Sequence, residues 1–301
     1  MNRNVAFLIA IIIGLSMFSG CSSGSATSAL TPTPVISQKI LLQAYSNGLP
    51  DYSYYPLELR GLDPELTKWI RPIIPAKIGP NNEVIATGQV RGVGLICEKD
   101  GRNFVISSSG PFIVVSPISE QEKSQGIVLG AVLAWNIVPD GSPEGIVSPN
   151  EVLRVVKTKK GEPFINRESG LVLLERVAPG TLPVPEGCPF DIGDIDSLKG
   201  GHKLMIVGHT KGDAPELLMP YQLADVSMVS DKTKTIHFTG STSLHDWGSP
   251  MFYLGDGKPK LIGIVTGAYI RAGNETRGFG LAINRIFESI FENTGIQLGD
   301  E

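Results

Sequence analysis

The sequence predicts an all-β protein in which two sets of about six short strands are followed by one short helix. Three observations carry this. The 301 residues include 35 Gly and 22 Pro, punctuation dense enough to break long helices and favour short strands joined by turns. Short β-rich segments recur at even spacing from residue 83 onward. A break carrying Pro183, Pro185, Gly187 and Pro189 divides them into two sets.

The elements follow in order. The first set reads as strands at 84–91, 92–98, 103–108, 111–115, 126–138, 152–158 and 171–177. The second reads as strands at 203–208, 218–229, 234–239, 249–254, 260–267 and 277–283. Turns such as Lys99-Asp100-Gly101-Arg102 and Gly255-Asp256-Gly257 separate neighbouring strands. Residues 284–293 read as helix, because Ile286, Phe287, Ile290 and Phe291 fall on one face at helical spacing. Upstream, residues 39–82 are expected to form an extension packed on the barrels. A short helix at 62–70 lies within it, with Asp63 as N-cap and Pro64 at the first position. Tyr52, Tyr54 and Tyr55 are expected to pack rather than bind a ligand.

Composition excludes several classes. Hydrophobic residues make up 42% of the chain, which suits packed cores and not a disordered chain. The net charge is -4, and no basic block or basic helix face stands out, so no nucleic-acid partner is expected. No cofactor motif is present. A metal pair at His202 and His209 is disfavoured, since a spacing of seven puts them on opposite faces of a straight strand.

The start of the chain carries a targeting pattern. Arg3 precedes an apolar run from Val5 to Met17, too short to span a membrane comfortably. Ser19-Gly20-Cys21 resembles a bacterial lipobox, with Phe18 where that pattern usually has Leu. Residues 1–20 are thus expected to be a lipoprotein signal peptide, with cleavage before Cys21 and acyl chains on it. Each buried methylene contributes about 0.8 kcal/mol, so two or more chains would anchor the protein to a membrane. Residues 21–38, rich in Ser, Thr, Ala, Gly and Pro, form the lipidated Cys and a flexible tether. The expected location is the bacterial cell envelope, at the outer membrane or cell surface rather than the cytoplasm.

Residues 83–292 resemble the trypsin-like serine proteases, which are double β-barrels. His245-Asp246-Trp247-Gly248-Ser249-Pro250 is similar to the family's nucleophile loop. Residues 261–267 resemble the next strand, which lines the cleft, and 278–286 the segment leading into the last helix. Residues 203–211 resemble the opening of the second barrel. Residues 92–101 and 104–109 resemble the strands before the catalytic His, and 171–174 the strand after the catalytic Asp. The resemblance implies two six-stranded antiparallel barrels, the first at about 83–180 and the second at about 195–282, with a C-terminal helix at 284–293.

The same resemblance implies a lost triad. That chemistry needs a Ser nucleophile, a His base and an Asp that orients the His. The nucleophile position matches Trp247, whose indole cannot form an acyl intermediate. The base position matches Gly110, or Ser109 in a register one residue earlier. The orienting position matches Gly170, with Glu168 nearby. Independently of register, all four His (His202, His209, His237 and His245) follow the barrel boundary, so the first barrel offers no imidazole. Ser249 beside His245 and Asp246 is the alternative nucleophile, but one tight loop gives its base no separate support. Backbone N–H groups near His245 and Trp247 would form an oxyanion-like site. Ser107, Ser108 and Ser109 lack a base and read as a strand end.

Two features remain. Cys97 and Cys188 form a candidate disulfide in an oxidising environment. Trp247 either plugs an unused cleft or anchors a partner, and the plug is favoured. The expected function is a non-catalytic, membrane-anchored protease homologue that binds an extended peptide or envelope protein between its barrels. The alternatives are a serine peptidase using Ser249 and a purely structural lipoprotein.

Overall fold

The structure, a computed structural model, describes residues 69–88, 92–113, 115, 117–134, 147–177, 188, 190–207, 221–239, 246–255, 259–270 and 276–299. The signal peptide, Cys21, the tether, Tyr52, Tyr54, Tyr55, His209 and His245 lie outside the described residues.

Six strands close the first ring. They are β1 (Ile70–Ile78), β3 (Gly92–Lys99), β4 (Arg102–Ser108), β8 (Leu171–Arg176), β6 (Val147–Val155) and β5 (Val128–Ala134), with β5 pairing back onto β1. A short arm, β2 (Val84–Thr87), pairs with the end of β1, and β7 (Ile165–Asn166) pairs with β8. The second ring runs β10 (Tyr221–Ser230), β11 (Thr235–Thr239), β14 (Thr276–Ala282), β13 (Lys260–Ile270), β12 (Pro250–Tyr253) and β9 (Lys203–Val207), where β9 pairs with β10. Every pairing within both rings is antiparallel. Two closed six-stranded antiparallel barrels with a C-terminal helix are the architecture that the resemblance implies.

Two expected elements differ. The first barrel begins at Ile70, so residues 70–78 are part of its wall rather than an extension packed on it. Pro72 and Pro75 hide this strand, because a proline cannot donate to a ladder. Each stands where β1 has one ladder partner: Pro72 pairs with Val93 alone, and Pro75 with Ala131. The segment expected as a strand at 111–115 begins instead with a single turn of helix, α1 (Gly110–Ile113). Pro111 favours this, having no N–H for a ladder and a φ suited to a helix start.

The hairpin between β3 and β4 forms as the sequence requires. Asp100 and Gly101 have φ of 54° and 71°, the left-handed pair of a tight two-residue turn. Ser119 and Glu122 make a reciprocal capping box at α2 (Glu120–Ser124). The C-terminal helix α3 (Ile283–Thr294) buries Ile283, Ile286, Phe287 and Ile290, each burial contributing roughly 1.5–3 kcal/mol. Phe291, expected on that face, is 47% exposed and lies under the Lys159 ammonium. Gly295 ends the helix at φ 82°, its N–H donating to the Phe291 carbonyl.

The first barrel also buries a charge network. Glu151 on β6 takes Arg71 of β1 on one carboxylate oxygen and Arg176 of β8 on the other, the latter at 3.0 Å. All three side chains are at most 6% exposed.

Candidate functional site

The loop before β12 and the end of β4 meet at the seam between the barrels. Val93 of β3 donates its N–H to the Trp247 carbonyl at 3.0 Å. Gly248 donates to the Val265 carbonyl at 2.8 Å, and Val265 donates back to Ser249 at 2.9 Å. The N–H of Ser249 closes a turn onto the Asp246 carbonyl at 2.9 Å. Gly248 sits at φ 95°, and a Cβ there would run into the Val93 carbonyl and the Ser107 hydroxyl. That position therefore requires glycine for both its conformation and its space.

The structure brings Trp247 onto Gly110. A methyl group added to Gly110 would overlap ring carbons Cε3 and Cζ3 of the indole. The indole thus fills the space that a side chain at residue 110 would occupy. Trp247 is half-buried and packs against the core of the second barrel. Its Nε1–H is buried with no hydrogen-bond partner among the described residues.

Gly170 joins the same seam. Its carbonyl accepts the Ser109 N–H at 2.8 Å. Its φ is 72°, and a Cβ would press on Thr266 of β13 at 3.0 Å. Gly110, Gly170 and Trp247, far apart in sequence, therefore stand together where the end of β4 approaches β13. Glu168, the nearby carboxylate, is exposed, and its N–H donates to the Asn166 side chain at 3.0 Å.

The serines here serve the fold. Ser107 donates its hydroxyl to the Val93 carbonyl. Ser108 accepts the Gly110 N–H at 3.2 Å and points to the Thr266 carbonyl at 3.5 Å. Ser249 is fully buried, and its hydroxyl has no hydrogen-bond partner among the described residues. Asp246 is likewise fully buried. Thr266, on the strand that the resemblance places along the cleft, faces Gly170 across the seam.

The described histidines lie elsewhere. His202 stacks on Tyr253 with ring centroids 5.2 Å apart, and its Nδ1 accepts the Lys199 N–H at 3.3 Å. His237 lies in β11 beside Tyr269 and Phe279, and burial lowers its pKa. Cys97, buried in β3, and the half-buried Cys188 are thiols rather than the expected disulfide, and Cys188 and burial raise the Cys97 pKa.

Among the described residues, β13 lacks a strand partner on one edge beyond Val265. β12 pairs with β13 no further than Ile264, whereas β14 follows β13 to Ile270. Past Val265, no described strand covers the second edge of β13.

No family model matches the sequence. No curated protein matches it either. Among solved structures, the HtrA-type protease AlgW with a tripeptide is similar at 13% identity and a TM-score of 0.46. That similarity covers 81% of this chain and 64% of that one. A variant of AlgW with a decapeptide is similar at 11% identity and the same TM-score, covering 78% of this chain and 66% of that one. The chain therefore spans about two thirds of the length of these structures. The double-barrel assignment itself stands on the strand pairings given above.

Proposed function

We propose that this protein is a membrane-anchored, non-catalytic homologue of the trypsin-like proteases that binds an extended peptide segment of an envelope protein. The contact of Trp247 with Gly110 carries this reading. An indole packed on residue 110 leaves no room for a side chain bearing a general base, and the first barrel has no His to supply one. The alternative nucleophile, Ser249, is buried away from any substrate. The edge of β13 past Val265, which no described strand covers, supports peptide binding, because an unpaired strand edge accepts an added strand through main-chain hydrogen bonds. Lipid on Cys21 would hold this groove at the membrane.

The purified protein should neither digest casein nor label with a serine-directed phosphonate, yet should bind members of a fluorescent peptide pool. With Trp247 as a plug, Trp247→Ala should tighten binding by about tenfold, the scale of one well-placed contact. Phosphonate labelling lost in Ser249→Ala would overturn the reading in favour of a peptidase. No peptide binding, together with no partner crosslinked in intact cells, would leave a structural lipoprotein. Palmitate labelling abolished by Cys21→Ser checks the anchor.

A further inference from the structure

The two thiols lie at a mechanical joint of the molecule. Cys97 sits in β3 opposite Phe104 of β4, two residues past the last pairing of β3 with β1, and is fully buried. Cys188 is half-buried on the segment that leads into the second barrel, packed against the same apolar cluster as Phe190. Just beyond it, that segment is already fixed to the second barrel. Phe190 meets Phe252 edge-on at 5.0 Å, Leu261 donates to Asp191 at 2.8 Å, and Gly193 donates to Leu261 at 2.8 Å.

We infer that Cys97 and Cys188 are a reversible dithiol–disulfide pair that locks the inter-barrel connector onto the first barrel. Cys97 belongs to the apolar cluster against which Cys188 packs, and Cys188 is the neighbour that most perturbs the Cys97 thiol. Cys188 and burial push the Cys97 thiol above its ordinary pKa, and Cys188, half-buried where Cys97 is fully buried, is the thiol an oxidant reaches first. The oxidant is a small disulfide or a disulfide oxidoreductase. The Cys188 thiolate attacks one sulfur of that disulfide, forming a mixed disulfide and releasing one thiol. The Cys97 sulfur, losing its proton, then attacks Cys188 Sγ, and the second carrier thiol leaves. Two protein thiols are oxidised to one disulfide, and the oxidant is reduced to two thiols. The link closes a loop of about 90 residues, a length at which loop-closure entropy strongly favours the folded state. It does not depend on the peptide-binding reading, since neither cysteine lies in the Trp247 seam.

The test treats the full chain with glutathione disulfide, alkylates it under denaturing conditions and maps the peptides by mass. The expected product is an intramolecular Cys97–Cys188 peptide, removed by dithiothreitol. Its formation should raise the melting temperature by roughly 5–10 °C. Cys188→Ser should melt like the reduced protein and show no oxidation-dependent shift. Both cysteines remaining alkylatable would overturn the inference, as would Cys188 carrying glutathione beside an unreacted Cys97. A disulfide joining two copies of the chain would overturn it too.

Discussion

In the first barrel, one buried carboxylate holds three strands: Glu151 of β6 bridges Arg71 of β1 and Arg176 of β8. In the second barrel, Leu204, Ile206, Val226, Ile236, Phe238, Met251 and Ile262 pack in an apolar cluster, while Lys203–Asp225 and Lys234–Asp196 pair at the surface. Apolar closure is shared among many side chains, so no single one decides it. Closure through a buried charge depends on every partner, because removing one leaves the others desolvated and unpaired. The ring that adds a buried charge network to its apolar core is also the ring whose first strand carries two prolines, each limiting the ladder there.

Mutating the charges gives the largest expected contrast. Glu151→Gln leaves two buried guanidinium groups without their carboxylate and should cost about 3–5 kcal/mol. Asp225→Asn breaks an exposed pair and should cost about 0–1 kcal/mol. Urea unfolding of the two variants checks this, and equal losses would erase the distinction between the barrels.

The seam between the barrels gives an intermediate effect. Gly110→Ala overpacks the indole and should cost about 1–3 kcal/mol. In a Trp247→Ala background the same change should cost close to nothing. A double-mutant cycle measures that coupling, and additive losses would mean the two residues do not share the space.

The smallest effects are local and pH-dependent. Glu122 is lowered to about 2 by the Lys77 ammonium and by its cap hydrogen bonds to Ser119. Its contribution is therefore full above its ordinary value of 4.5 and is lost as pH falls toward 2. Burial lowers His237, so protonation favours the unfolded state, and its cost appears as pH drops below the ordinary 6.5. In an acid titration followed by NMR, resonances around His237 should respond first and the α2 cap last.

The sequence made most of the wall legible wherever a signal was local. The Asp100-Gly101 turn, the strands at β3, β4, β9, β11 and β12, and the helix α3 each follow from neighbouring residues. The elements that escaped were those whose local signals conflict. Pro72 and Pro75 argue against a strand, yet β1 forms because partners on alternate sides take up the ladder. An apolar run after Ser109 reads as strand, yet Pro111 turns it into α1. The Arg71–Glu151 pair had no local signal, since 80 residues separate its members.

The sequence by itself determined that the chain is an all-β double barrel, that its first half carries no imidazole, and that glycines and a tryptophan stand where the resemblance expects a triad. The strand content and the missing imidazole follow from residue identity, turn chemistry and periodicity, whereas the two barrels and the replaced triad are what the family resemblance implies. Only the tertiary structure decided that the indole of Trp247 rests on Gly110, that Gly170 backs onto Thr266, that Cys188 packs on the apolar cluster holding Cys97, and that a buried carboxylate ties the first ring. Each of these joins residues remote along the chain, and no local preference specifies such a contact before the barrels close and bring their surfaces together.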